Sequence, residues 1–122
     1  MPHRALAALS LAVAVVCSAA AAQPRLVTNP EICALGPDDY WGEMGMVLTD
    51  STMEEIEYFC EFDPPVAFDW SGDRIETRLG YCNEPGIIIP EVFSFEYSQY
   101  EPGVVRVWTR GRDEPTVFTA CR

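Results

Sequence analysis

The chain has 122 residues, with 19 acidic side chains against eight arginines, no lysine, one histidine and a net charge of −11. A field of that sign repels nucleic acid and anionic membrane surfaces and favours cationic partners, with solubility alone as the plainer reading of the charge. The length is that of a single domain, and the missing lysine excludes Schiff-base chemistry and a Ser-Lys dyad.

The first residues, "MPHRALAALSLAVAVVCSAAAAQP", place His3 and Arg4 before an uncharged apolar run from Ala5 to Val16. Ala20 and Ala22 then occupy the two small-residue positions of an A-x-A cleavage site. This is the three-part layout of a secretory signal peptide. The run is shorter than the roughly 20 residues that a membrane span needs. A lipidated cysteine normally follows a small residue, whereas Val16 precedes Cys17. Residues 1–22 therefore read as a cleaved leader and residues 23–122 as one domain, periplasmic or secreted. Alanine in the leader and arginine without lysine fit a GC-rich bacterial genome. The mature chain keeps seven arginines and all 19 acidic residues, a net charge of −12. It has no second apolar run, so no membrane association is expected after cleavage.

Period-two alternation dominates the mature chain. The stretch Glu31 to Glu43 is irregular, and Cys33, Tyr40 and Trp41 are expected to hold it down. "MGMVLT" (residues 44–49) predicts a strand. "MEEIEYFCEF" predicts the next, with Ile56, Tyr58, Cys60 and Phe62 on one face and Glu55, Glu57 and Glu61 on a wet one. A short helix from Ser51 to Glu57 is its rival, because "STMEE" can cap one. "VAFDWSGD" reads as a loop or short edge segment. "RIETRLGYC" puts Ile75, Thr77, Leu79 and Tyr81 on one face, with Arg74, Glu76 and Arg78 on the other; Gly80 reads as a bulge that redirects Cys82. "NEPG" is a turn with Pro85 and Gly86 at its centre. "EVFSFEY" alternates through Phe93, Phe95 and Tyr97. "VVRVWTR" and "PTVFTAC" then form a closing hairpin. Five to six antiparallel strands in meander order predict an all-β sandwich or barrel.

With the leader gone, four cysteines remain: Cys33, Cys60, Cys82 and Cys121. An even number in a small exported domain implies two disulfides rather than a metal site. Alternate strands of a meander end on the same side. That favours Cys60–Cys121 with Cys33–Cys82; Cys33–Cys60 with Cys82–Cys121 is next, and four cysteines allow three pairings.

Loss of His3 with the leader removes Ser-His-Asp and Cys-His catalysis and histidine-bound zinc. Bridged cysteines leave no thiolate, no glycine-rich phosphate loop is present, and no cofactor or metal is called for. Carboxylates remain. Glu55, Glu57 or Glu61 could face Glu76 as a minimal hydrolase pair, against the plainer reading of a solvated face. Asp69 with Asp73, and Asp38 with Asp39, offer calcium-type oxygens without EF-hand spacing, and aspartate before Gly or Ser is usually turn chemistry. Trp108 falls on the face of Arg106 and Arg110, opposite Val105 and Val107, so a partly exposed Trp–Arg patch is a binding candidate.

The segment "VRVWTRGRDEPTVFTAC" (residues 105–121) resembles the C-terminal part of the small periplasmic inhibitors of c-type lysozyme, the membrane-bound lysozyme inhibitor family. The resemblance implies a compact β-barrel in which Thr109, Arg110 and Gly111 take the place of a Thr-Lys-Gly motif. Arg110 would stand for the lysine that enters the lysozyme cleft. Cys121 would be the closing cysteine, and "YFC" (residues 58–60) would supply its partner, Cys60. Val105 stands where the family has a tyrosine, and the family's Ser-Gly-x-x-Tyr motif is missing.

Two functions head the expectations: an acidic, non-enzymatic binding domain for a cationic protein, and an inhibitor of a lysozyme-like hydrolase. Trp108, Thr109, Arg110 and Gly111 are the candidate binding residues for both. The carboxylate hydrolase is the third.

Overall fold

The computed structural model describes residues 14–16, 25–36 and 38–122. The cleavage site, His3 and Cys17 lie outside the described residues. The eight strands are β1 (Leu26–Val27), β2 (Val47–Leu48), β3 (Thr52–Glu55), β4 (Tyr58–Asp63), β5 (Arg74–Glu84), β6 (Ile87–Tyr97), β7 (Val104–Thr109) and β8 (Thr116–Ala120). Each pairs antiparallel with the next, and β8 pairs with β1 to close a barrel.

Alternation builds the interior. Met53, Phe62, Phe93, Phe95, Tyr97, Val105, Val107 and Phe118 point inward and are buried. An eight-stranded barrel leaves a lumen of the width that side chains fill. Phe62 meets Phe95 and Phe93 at ring-centroid distances of 4.8 and 5.5 Å, within the favourable range for aromatic pairs.

The two ends differ. At one, the loop after β4 folds over the lumen with Val66 and Phe68 buried, and Trp70 gives its Nε1–H to the Val104 carbonyl at 3.0 Å. Arg78 holds that loop, donating to the carbonyls of Pro64 at 2.7 Å and Pro65 at 3.3 Å. At the other end lie the β3–β4, β5–β6 and β7–β8 turns, and there the barrel is open.

A second layer lies outside. Val27 and Val47 face outward and are covered by Ile32, with Cys33, Trp41, Met44 and Cys121 around them. Arg25 ties this strap down through the carbonyls of Ile32 at 3.1 Å and Leu35 at 2.9 Å. Trp41 and Cys33 hold the irregular stretch as expected, but Tyr40 is exposed.

Five expectations are corrected. Among the described residues eight strands replace five to six, because β1 is only two residues, too short for a period-two signal, and one predicted strand is two. "MEEIEYFCEF" is two strands: the chain reverses at Ile56–Glu57, with Glu55 opposite Tyr58 and Glu57 at φ 56°, a left-handed position where glycine or asparagine is usual. Gly80 is no bulge, since the register runs unbroken from Cys60↔Cys82 through Phe62↔Gly80. On β5 the apolar face is the outer one: Ile75 is 74% and Leu79 71% exposed, while Gly80 and Cys82 are buried.

The bridges are Cys33–Cys121 and Cys60–Cys82, so both pairings drawn from the meander, and the Cys60–Cys121 pairing implied by the resemblance, are overturned. The reversal at Glu57 puts Cys60 near the start of its strand. A late residue of the antiparallel neighbour then stands opposite, and Cys60 and Cys82 lie 4.0 Å apart at Cα. Cys121 follows β8, whose other neighbour β1 carries the strap with Cys33.

Candidate functional site

The open end is a cleft of about 630 Å³. Three hairpins bring side chains to it. Two supply carboxylates: Glu55 and Glu57 from β3–β4, and Glu84 and Glu91 from β5–β6. Thr109, Arg110 and Arg112 of the β7–β8 hairpin line it beside Glu91, and Met46, Met53 and Tyr58 complete the lining. Methionine is an adaptable apolar lining, and the volume suits one long side chain or a few residues of extended chain.

The charges are set by local contacts. One Glu91 oxygen accepts from Val92 N–H at 2.9 Å and Arg110 N–H at 3.3 Å. Arg112 donates to Thr116 Oγ1 at 3.1 Å. The Tyr58 hydroxyl donates to Cys82 Sγ at 3.2 Å. Its pKa is pushed up by burial first, then by the fields of Glu91 and Glu84. Tyr58 is thus a neutral phenol beneath an acidic rim, and four carboxylates outweigh two guanidiniums there.

The structure divides the predicted binding residues. Thr109 and Arg110 line the cleft, and Gly111, at φ 79°, makes the turn beside them. Trp108 lies on the outer wall, 37% exposed, its indole N–H donated to Glu96 at 3.0 Å. Arg106 is engaged elsewhere: it grips Glu101 at 2.6 and 3.1 Å. That contact holds the Glu101 carboxyl below its usual range and raises the pKa of Arg106. The cysteines are structural.

The hydrolase pair does not assemble. Glu57 belongs to the mouth, whereas Glu76 accepts the Tyr97 hydroxyl and pairs with Arg78 at 3.4 Å. Asn83, level with the mouth through its pairing with Phe59, lies seven residues beyond Glu76 on β5, about 23 Å along a strand. The aspartates serve turns and loops. Asp69 accepts from Ser71 N–H at 3.2 Å, which lowers its pKa; Asp39 accepts from Gly36 N–H at 2.7 Å, and Asp73 from Ser98 at 2.6 Å. Among the described residues no group of three or more His, Cys, Asp or Glu side chains is placed to hold a metal ion.

Glu84, Glu91, Met46 and Met53 do not stand out in the sequence as site residues. The usable signal is positional: Glu84 adjoins the Pro85-Gly86 turn, so a hairpin tip carries it to the rim.

The fold and the site together define a small, doubly bridged up-and-down β-barrel, plugged at one end and open at a carboxylate-rimmed mouth. No protein-family model, curated protein or solved structure matches the chain.

Proposed function

We propose that the protein is an exported, non-enzymatic binding domain that receives a cationic segment of a protein partner in the barrel mouth. The observation that carries this reading is the convergence of Glu55, Glu57, Glu84 and Glu91 over an apolar lining of Met46, Met53 and Tyr58. Carboxylates at the rim select the charge of the guest, and the methionines contact the aliphatic stem of a lysine or arginine. Two disulfides suit an oxidising compartment, and among the described residues no helix is long and apolar enough to cross a membrane.

Titration with a lysine-rich peptide tests it. Affinity should fall steeply as salt rises. Replacing the four rim glutamates with glutamine should weaken binding by about tenfold or more, since exposed ion pairs contribute ~0.2–1 kcal/mol each. Salt-independent binding, or no effect of the four substitutions, contradicts it.

A second reading, inhibition of a lysozyme-like hydrolase, draws on one feature. Arg110 stands exposed on the β7–β8 turn beside the mouth, free to enter another protein's cleft. In a cell-wall turbidity assay the protein should slow lysis by a c-type lysozyme, and Arg110→Ala should relieve the inhibition. Unslowed lysis rejects this reading.

A further inference from the structure

β6 is paired with β5 along its whole length, from Ile87↔Glu84 to Tyr97↔Arg74. β7 covers its other edge only from Phe93 to Glu96. Among the described residues none pairs with this edge over residues 87–92, and Glu91 near its end is part of the mouth.

Backbone groups alternate between the two edges of a strand. The Val92 N–H leaves toward the free edge, where the Glu91 carboxylate takes it at 2.9 Å. Two and four residues earlier, Pro90 and Ile88 address the same edge. Pro90 has no N–H, which suits an edge position and limits indiscriminate pairing. Among the described residues no backbone group bonds the Ile88 N–H, the Ile88 carbonyl or the Pro90 carbonyl, which leaves them for a partner. Ile88 is 68% exposed on the outer face, which continues through Tyr81 and Val92, and Ile87, on the mouth side, is 54% exposed. Soluble proteins usually blunt an open edge that carries exposed isoleucines.

We infer that this edge accepts an extended basic segment of the partner as an added strand, bonded at Ile88 and at the Pro90 carbonyl. The inference rests on the mouth reading and specifies how the segment is held. Charge chooses the occupant. Glu91 lies near the end of the edge and Glu84 pairs with Ile87 at its start; with Glu55 and Glu57 across the same mouth, four carboxylates outnumber Arg110 and Arg112 there, and a second copy would bring the same acidic surface against them. In an added strand, alternate side chains face opposite ways. One set reaches the mouth glutamates, and the other lies against Ile88 and Tyr81. The recognised segment thus alternates basic and apolar residues.

The test uses the oxidised protein and an alternating Lys-Val octapeptide, alongside a copy N-methylated at every second residue. Ile88→Pro removes the edge N–H and leaves the mouth glutamates intact. Because the Ile88 N–H faces away from β5, the β5–β6 ladder should survive, as it does at Pro90. Ile88→Pro and the methylated peptide should each weaken binding by about tenfold, the loss of one or two hydrogen bonds and strand contact. The Ile88 amide should gain protection from hydrogen exchange in the wild-type complex. If Ile88→Pro does not fold, the methylated peptide and the exchange measurement decide. If both leave the edge unengaged while the four glutamine substitutions still weaken binding, the added strand is overturned and the mouth reading stands. If the glutamine substitutions also have no effect, both fall. A wild-type dimer that Ile88→Pro dissociates, with no peptide bound, assigns the edge to a second copy and overturns the inference.

Discussion

A side chain at residue 80 has nowhere to go. A Cβ on Gly80 would collide with the Glu61 carbonyl of the neighbouring strand and come within 3.0 Å of the Phe93 ring. Gly80→Ala should therefore lower stability by about 1–3 kcal/mol or more, in the manner of an overpacked core, read as a shift of the urea midpoint. Tyr97 works through its hydroxyl, which donates to Glu76 from an almost wholly buried ring. Burial, then the Glu76 bond and charge, push its pKa above the ordinary 10.0. The unfolded chain releases that proton first as pH rises. The contribution is thus complete below pH 10 and declines as pH climbs beyond it toward the folded value. Tyr97→Phe should cost ~1.5–3 kcal/mol at neutral pH, the worth of a hydrogen bond to a charged group. It should also flatten the alkaline loss of stability in midpoints measured across that range; an unchanged alkaline slope would count against the assignment.

Pairs of elements are tied by the two bridges, which close stretches of very different length: 88 residues for Cys33–Cys121 and 22 for Cys60–Cys82. Chain-entropy reasoning gives ~4.6 and ~3.4 kcal/mol respectively. Removing Cys33–Cys121 by double alanine substitution should destabilise strongly and loosen the strap over Val27 and Val47. A non-reducing peptide map should return these two linkages; finding Cys60–Cys121 would contradict the register of β4 with β5. At this scale the sequence is partly legible. Alternation in β6, β7 and β8 is plain because Phe93, Phe95, Val105, Val107 and Phe118 all face one lumen. The β5–β6 turn is plain because Pro85-Gly86 announces it. The β3–β4 turn is hidden, because Glu57 holds a left-handed conformation without being glycine. The wrong disulfide pairing follows directly from that hidden reversal. The inverted face of β5 is hidden too: Gly80 and Cys82, the small residues, face inward, and the large apolar ones face solvent.

For the whole molecule, the plugged end and the open end make an asymmetric barrel, with four glutamates at the open end. The candidate site is half legible. Thr109, Arg110 and Gly111 stand at the mouth, as a shared site requires, whereas Trp108 stands on the wall outside it. The glutamates that dominate the rim come from two hairpins, and the register of β4 with β5, which the hidden reversal sets, brings them together. The most direct test is amide chemical-shift mapping of the oxidised protein with a lysine-rich peptide at low and high salt. The largest shifts should fall at residues 55–58, 84–91 and 109–112 and fade as salt is added. Shifts concentrated around Val66, Phe68 and Trp70 at the plugged end, or mouth shifts indifferent to salt, would contradict a cation-receiving mouth.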